Sequence, residues 1–321
     1  MLKKSLIIGS GSCLPSKIIT NEDFTKILET TDEWIQSRVG IVSRRFLAED
    51  ETLDDIASKA CEEALKAAGI KAEEVDAIIV GTTTSPYIFP ALGVLIQRNL
   101  GANRACAFDV QAVCSGFIYA LSLADNMIKA GQFKTVLVVG ADAMSRITDQ
   151  KDRSTAVIFA DGAGAVVLRA VEASEPRGVL STHLYSDGSL TDLLYVKGGG
   201  GSCDPRGSIV MEGREVFRHA VAKLGQAVMV ALESNNLAPS DIDWFVPHQA
   251  NLRIIKAVSE HFHLPEDRVI LTLDHHGNTS AASIPLALDE AVKQGKIKPG
   301  QLLILEALGG GLTWGSAAVR W

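Results

Sequence analysis

Ala112-Val113-Cys114-Ser115-Gly116-Phe117 and His275-His276-Gly277-Asn278-Thr279-Ser280 each lead into a long, mostly apolar helical stretch, and comparing them decides the fold. Cys114 is followed by Asp125, Lys129, Gly131 and Lys134. Asn278 is followed, at identical offsets, by Asp289, Lys293, Gly295 and Lys298. Each series spells a long helix, a glycine stop and a strand (Val136 to Val139, Leu302 to Leu305) ending at Gly140 or Gly309. Upstream, Ala64-Leu65 through Val75-Asp76 matches Ala231-Leu232 through Ile242-Asp243 at one constant offset. Downstream, Asp161 to Val166 corresponds to Trp314 to Val319. Matches in the same order along the chain mark an internal repeat. The chain therefore reads as two similar halves, residues 1–172 and 173–321.

Short β-rich runs alternate with helical patterns: Ala77 to Val80, Ala105 to Val110, Thr135 to Val139, Trp244 to Val246 and Leu302 to Leu305 are expected as buried strands. Thr52 and Asp55 cap a helix that Gly69 stops. The alternation implies an α/β protein with at least partly parallel sheets. Phe117, Ile118, Ala120, Leu121 and Ala124 make the helix after Cys114 apolar on most faces; Ala282, Ile284, Leu286, Ala287 and Leu288 do the same after Asn278. Helices of that kind lie buried in the middle of a large protein. Pro285 inside the second is expected to kink it, since an interior proline costs about 3 kcal/mol. The repeat thus places a thiol and an amide at equivalent helix mouths.

The chain has 321 residues, long enough for about two units and a sizeable core. No apolar run approaches the roughly 20 residues of a membrane span. Lys3 and Lys4 precede an apolar stretch too short for a signal peptide, so the opening is read as a core strand. A net charge of −7 argues against general affinity for nucleic acid or anionic membrane. Cys13, Cys61, Cys106, Cys114 and Cys203 are odd in number and irregularly spaced, which suggests reduced thiols and a cytoplasmic location. Neither His261/His263 nor His275/His276 has a recognisable zinc spacing, and no metal site is expected.

Three residues stand out chemically. A thiol in the first turn of a helix meets unpaired N–H groups and the positive dipole end, which favour the thiolate; a buried structural cysteine is the alternative for Cys114. Ser115 and Gly116 are small enough to leave a substrate room. His248, in Pro247-His248-Gln249-Ala250-Asn251, sits at a strand-to-helix junction and reads either as catalytic or as a hydrogen-bonded helix entrance. Asn278 reads either as catalytic or as a helix cap. A Cys, a His and an Asn, each at such a junction, are more specific together than singly.

The whole chain resembles β-ketoacyl-acyl carrier protein synthase III, a thiolase-like condensing enzyme. The resemblance is carried by Thr31-Asp32-Glu33-Trp34-Ile35 with Arg38 and Gly40-Ile41, by Asp109 to Phe117, and by Asp152-Arg153. It continues through Phe159 to Gly164, Pro247 to Arg253, His276 to Ser283, and Gly309-Gly310-Gly311-Leu312-Thr313-Trp314-Gly315. It implies a thiolase-like five-layered αβαβα fold and a homodimer. It further implies that Cys114 takes an acyl group from a short acyl-CoA, with the N–H groups of Cys114 and Gly310 as oxyanion donors. His248 and Asn278 are expected to stabilise the enolate formed when malonyl-acyl carrier protein loses carbon dioxide. Acyl-CoA is then substrate, and no cofactor is expected.

By the same resemblance Trp34 and Arg153 sandwich the adenine of CoA, with Arg38 near its phosphates. Phe89 matches the residue that ends the partner subunit's acyl pocket, where a large ring favours a primer such as acetyl. Gln249, Ala250, Asn251, Leu252 and Arg253, with Arg214 and Arg218, are the expected landing site for the acidic carrier protein. Arg214 and Val39 depart from the residues common in the family, near the expected pantetheine path. A degradative thiolase would want a second catalytic cysteine near the C-terminal glycines, where none occurs. A condensing enzyme of a polyketide or quinolone pathway is the nearest alternative. A dinucleotide-binding reading of Gly9-Ser10-Gly11 fails, because Leu14 replaces the last glycine and Pro15 follows it.

Overall fold

The computed structural model describes residues 3–199, 201–202 and 205–321. Cys203 lies outside the described residues. The first half builds a five-stranded sheet from β1 (Lys3–Cys13), β2 (Ala77–Gly81), β3 (Cys106–Val110), β4 (Thr135–Ala143) and β5 (Asp161–Glu172). The second builds a four-stranded sheet from β6 (Gly178–Ser186), β7 (Trp244–Pro247), β8 (Leu302–Gly309) and β9 (Thr313–Arg320). The helices that matter below are α1 (Asp32–Val39), α2 (Leu53–Ala68), α3 (Leu92–Leu100), α4 (Gly116–Lys129), α5 (Gly213–Glu233), α6 (Leu252–His261), α7 (Leu273–His276) and α8 (Ser283–Lys293).

The sheets share one topology. Strand order is β1-β5-β4-β2-β3 in the first and β6-β9-β8-β7 in the second. In both, the first three strands pair antiparallel and the next pairs parallel. The counterpart of β3 is reduced to one parallel bridge between Phe245 and Val269. The layers follow from which faces are apolar. Helices α2 and α3 cover the outer face of the first sheet, and α5, with α6 packed on it, covers that of the second. Helices α4 and α8 lie between the sheets, where Phe117, Leu121, Ile284 and Leu288 join one buried cluster with Ile79, Val138, Leu303 and Leu305. This is the five-layered αβαβα arrangement that the resemblance implies.

Sheet and buried helix approach so closely that glycine is required at the contact. A Cβ on Gly81 would stand 2.4 Å from the Gly116 carbonyl carbon, and one on Gly140 would stand 2.2 Å from the Ala281 oxygen. The expected strands form, though β4 runs past Gly140 to Ala143. The N-terminal segment is a strand of the sheet, as read. Thr52 accepts from Asp55 N–H and Gly69 closes α2 at φ 66°. Pro285 does not act as expected: it is the third residue of α8, where no intrahelical acceptor is available to an N–H, so its ring breaks nothing. Cys13, Cys61, Cys106 and Cys114 are free thiols. Among the described residues no helix is long and apolar enough to cross a membrane.

Candidate active site

Cys114 lies in a single 3-10 turn, Val113–Ser115, that joins the strand β3 segment to α4. Val113 adopts φ 48°, and the same positive-φ step recurs at Ser280, φ 53°, ahead of α8. These two sharp turns pack against each other between the sheets. Their alignment corrects the repeat read from sequence. Helix α4 has 14 residues and α8 has 11, so α8 starts one turn later relative to its glycine stop. The structural counterpart of Cys114 is therefore Ala281, and Asn278 precedes the second turn.

Cys114 is 4 % exposed, and burial pushes its thiol up to about 12, while the nearby Ser280 hydroxyl pulls the other way. The helix mouth was expected to favour the thiolate; desolvation outweighs it, and the resting group is a thiol. Ser115 does not make room for substrate. It is fully buried and turned inward, its Oγ 2.7 Å from Ala112 O and 2.9 Å from Thr313 Oγ1. Thr313 Oγ1 reaches the same Ala112 oxygen at 2.9 Å and Gly310 O at 3.2 Å. These hydroxyls tie the Cys114 turn to the glycine turn after β8. A Cβ on Gly309 would stand 2.6 Å from the Cys114 backbone nitrogen. That contact brings the chain at Gly310 alongside the cysteine.

His248 follows β7 and is 5 % exposed. Its N–H donates to Glu306 O at 2.8 Å, which pins the residue to β8. Burial lowers the imidazole pKa to about 3, so the ring is neutral. Its tautomer follows from one neighbour. Ser283 Oγ accepts from Gln249 N–H at 3.3 Å and lies 2.6 Å from His248 Nδ1. The hydroxyl proton then needs an acceptor, and Nδ1 is the one at hand. Nδ1 accepts, and Nε2 carries the ring proton. Ser283 went unnoticed in the sequence, although its place at the head of α8 was a signal.

Asn278 is 5 % exposed, and its backbone is held to Ile158 and Ala160 by hydrogen bonds of 3.0 and 2.8 Å. Its Oδ1 accepts from Ser280 N–H at 2.9 Å, which leaves Nδ2 as the donor for a bound molecule. It does not cap α8, which begins at Ser283. Cys114, His248 and Asn278 line one cavity of about 660 Å³. A second cavity of about 830 Å³, lined by Thr83, Tyr87, Ile88, Met144 and Ile209 among others, reaches Cys114 from the opposite side and includes Gly310. Cys114, Phe159 and Leu194 border both. The thiol thus stands where two chambers meet.

Trp34, Arg38, Val39, Arg153, Arg214, Ala250, Asn251 and Arg253 line the first cavity. Trp34 and Arg153 face each other directly, the guanidinium 4.8 Å from the ring centroid, and Arg153 is anchored to Glu29 O at 2.8 Å. A base between them needs about 7 Å, twice a van der Waals contact, so Arg153 must swing aside to form the expected sandwich. Phe89 is 84 % exposed and lines neither cavity of its own chain.

The expected landing site divides. Arg253 is exposed, its guanidinium 5.5 Å from the Phe217 ring centroid, and Arg214 is exposed at the cavity mouth. Arg218 is paired with Glu215 at 2.7 Å, and Lys256 with Glu266 at 3.1 Å. Asn251 caps α6 by accepting from Arg253 N–H, and Leu252 packs against Gly40. Gln249 is a correction. It is fully buried, donates to Pro247 O and Ile270 O, and accepts from Thr272 and Leu273 N–H. It braces the turn beneath His248 and cannot touch a docking protein.

A family model described as 3-oxoacyl-[acyl-carrier-protein] synthase III matches residues 108–188, and the C-terminal model of the same description matches residues 232–321. A β-ketoacyl-[acyl-carrier-protein] synthase III of Rhodospirillum centenum is 55 % identical over 320 residues, covering 99 % of each chain. The crystal structure of the 3-oxoacyl-[acyl-carrier-protein] synthase III of Aquifex aeolicus superposes with a TM-score of 0.94 at 45 % identity, covering 99 % of this chain and 100 % of that one. The priming β-ketosynthase of the R1128 polyketide pathway superposes with a TM-score of 0.95 at 36 % identity, over 99 % and 96 % of the two chains. These two synthase III relatives are thus more alike in sequence to this chain than the polyketide enzyme is. With matches spanning nearly its whole length, the chain belongs to the 3-oxoacyl-[acyl-carrier-protein] synthase III family of condensing, acyl-transferring enzymes.

Proposed function

We propose that this chain condenses a short acyl-CoA, acetyl-CoA foremost, with malonyl-acyl carrier protein to give a β-ketoacyl-acyl carrier protein, the first elongation of fatty-acid synthesis. The reading rests on one observation: a buried thiol, a neutral histidine and an asparagine amide share a cavity. Residues 1–172 supply the nucleophile, and residues 173–321 supply the imidazole and the amide. Acyl-CoA enters along Trp34, Arg38 and Arg153. The Cys114 sulfur attacks the thioester carbonyl, the carbon–sulfur bond to CoA breaks, and the thiol proton leaves with CoA. Backbone N–H groups of Cys114 and Gly310 receive the oxyanion.

Malonyl-carrier protein then takes the emptied channel, guided by Arg253 and Arg214, with Ala250, Asn251, Leu252 and Arg218 around them. Loss of carbon dioxide leaves an enolate whose oxygen accepts from His248 Nε2–H and Asn278 Nδ2–H. Both donors are neutral, so neither yields a proton that would quench the enolate. The enolate carbon attacks the acyl carbonyl, the bond to Cys114 breaks, and the released thiolate takes up one proton from solvent, which replaces the proton that left with CoA. The chemistry uses acyl-CoA as substrate and asks for no cofactor. The exposed Phe89 suits a part in a partner subunit's acyl chamber, and the free thiols suit a cytoplasmic homodimer.

The test offers a panel of acyl-CoAs with malonyl-carrier protein and identifies the labelled peptide and product by mass spectrometry. Label is expected on the Cys114 peptide and absent from Cys114→Ala. Full labelling of that variant overturns the assignment.

A further inference from the structure

Far along α8 from the catalytic turn, a second set of side chains converges. His275 Nε2 and His276 Nε2 stand 3.0 and 3.1 Å from the same oxygen, Oε2 of Glu290, and the three atoms lie within 4.8 Å of one another. The two rings are 4.3 Å apart at their centroids. Helix α7 supplies the histidines from its last two residues, and α8 supplies the glutamate. Sequence spacing alone concealed this, because the third member sits on the next helix.

Three further features complete the cluster or bear on its open positions. His275 Nδ1 lies 2.7 Å from Asp274 Oδ1, so the ring faces a carboxylate oxygen at each nitrogen. His276 is 5 % exposed, and its Nδ1 has no hydrogen-bond partner among the described residues. Two imidazole nitrogens thus converge on one carboxylate oxygen. The other oxygen, Oε1, is held by Gln294 Nε2 at 2.9 Å, which fixes the carboxylate in place.

We infer that His275, His276 and Glu290 form a zinc-binding site. Two imidazoles and a carboxylate suit a borderline divalent ion better than calcium or magnesium. Ligands on tetrahedral zinc at about 2.0–2.1 Å stand about 3.3 Å apart, close to the 3.0 and 3.1 Å that separate the two imidazole nitrogens from Oε2. Asp274 supplies the outer carboxylate that orients a zinc-bound imidazole through its other nitrogen. The His275 side chain is 44 % exposed, which leaves a path for the ion and a fourth position for water. The bound ion clips the end of α7 to α8. It thereby braces the intervening turn that carries Asn278 and leads into Ser283 at the head of α8.

Reduced protein is titrated with Zn2+ against a chromophoric zinc indicator, beside His275→Ala and Glu290→Gln. Wild type is expected to take one more equivalent per chain than either variant, or to hold it at least tenfold more tightly. Zinc should raise the unfolding temperature of wild type and not of the variants. Acylation of Cys114 in zinc-free buffer should be equal in all three, which shows the variants are folded. Equal zinc uptake by all three overturns the site, because the cysteines would then account for the binding. Crystals soaked in zinc should give an anomalous peak bonded to both Nε2 atoms and Oε2. A peak only at cysteine sulfur overturns it as well.

Discussion

Ser283→Ala separates two effects that are usually confounded, the presence of a catalytic donor and its orientation. The substitution leaves His248 intact but removes the oxygen that binds its Nδ1 at 2.6 Å and receives Gln249 N–H at 3.3 Å. Both orphaned groups are buried, and each unsatisfied buried group costs about 1–3 kcal/mol, so stability should fall by roughly 2–6 kcal/mol. The Nε2–H survives in the variant, though it loses the contact that fixes its tautomer and aim. One neutral hydrogen bond is worth about 0.5–1.5 kcal/mol net, so the enolate-forming step should slow about 2- to 10-fold. Deleting the donor outright with His248→Ala should cost about 100- to 1,000-fold. Single-turnover release of carbon dioxide from malonyl-carrier protein reads that step, and mass labelling of Cys114 reads acylation, which should stay near wild type. Unchanged carbon dioxide release from folded Ser283→Ala would refute the tautomer argument. A loss as deep as that of His248→Ala would also refute it, since the serine would then act on substrate itself.

Other expectations follow from the same contacts. Gly309→Ala puts a methyl 2.6 Å from the Cys114 nitrogen, so Cys114 labelling by acetyl-CoA should fall at least 100-fold in a protein that still folds. Gln249→Ala strands four buried backbone partners and should lower the denaturation midpoint sharply, while the salt dependence of carrier-protein binding stays as in wild type. Arg253→Ala, exposed at the cavity mouth, should do the reverse, weakening carrier binding and its salt dependence with little change in stability. Two buried groups give stability opposite slopes in pH. His248 drops from 6.5 to about 3 on folding, so its contribution is full above 6.5 and fades as pH falls toward 3. Glu306 rises from 4.5 to about 8 because burial disfavours its charge, so its contribution is full below 4.5 and fades as pH rises toward 8. Glu306→Gln should therefore gain on wild type between pH 5 and 8 in urea denaturation; a constant difference across that range would contradict the buried acid.

Much of the fold and the central trio were legible because each left a local trace. The buried strands are short apolar runs, the α2 cap is written in Thr52 and Asp55, and the nucleophile and imidazole each follow a strand, whereas the amide follows the short helix α7. What escaped was set by contacts distant in sequence. Ser115 looked like empty space because its partner, Thr313, lies at the other end of the chain. Gln249 looked exposed because polar residues at helix entrances mostly are, whereas its amide closes four bonds to segments that fold over it. The pKa of Cys114 went the wrong way because a helix mouth is visible in sequence and desolvation is not.

The mismatch within the repeat bears on how a symmetric precursor becomes an active site. Two equal turns facing each other would place like groups in like positions, and condensation needs unlike ones, a nucleophile and donors for a different oxygen. Here the two helices begin alike, each three residues after its positive-φ step, but α8 ends a turn early and Pro299-Gly300-Gln301 lengthens the loop before β8. The positive-φ step at Ser280 still packs against that at Val113, so the sheets keep their spacing. The segment before it is not helical, and Gly277, at φ 69° and against the Arg44 and Ala160 side chains, turns Asn278 into the cavity wall. Replacing Gly277 with alanine would set its Cβ 2.9 Å from Arg44 Cβ and strain the backbone at once. It should therefore displace Asn278 and slow carbon dioxide release while leaving Cys114 open to acetyl-CoA. Equal losses in both half-reactions would mean that the two turns move as one body, and that the offset between the halves carries no catalytic meaning.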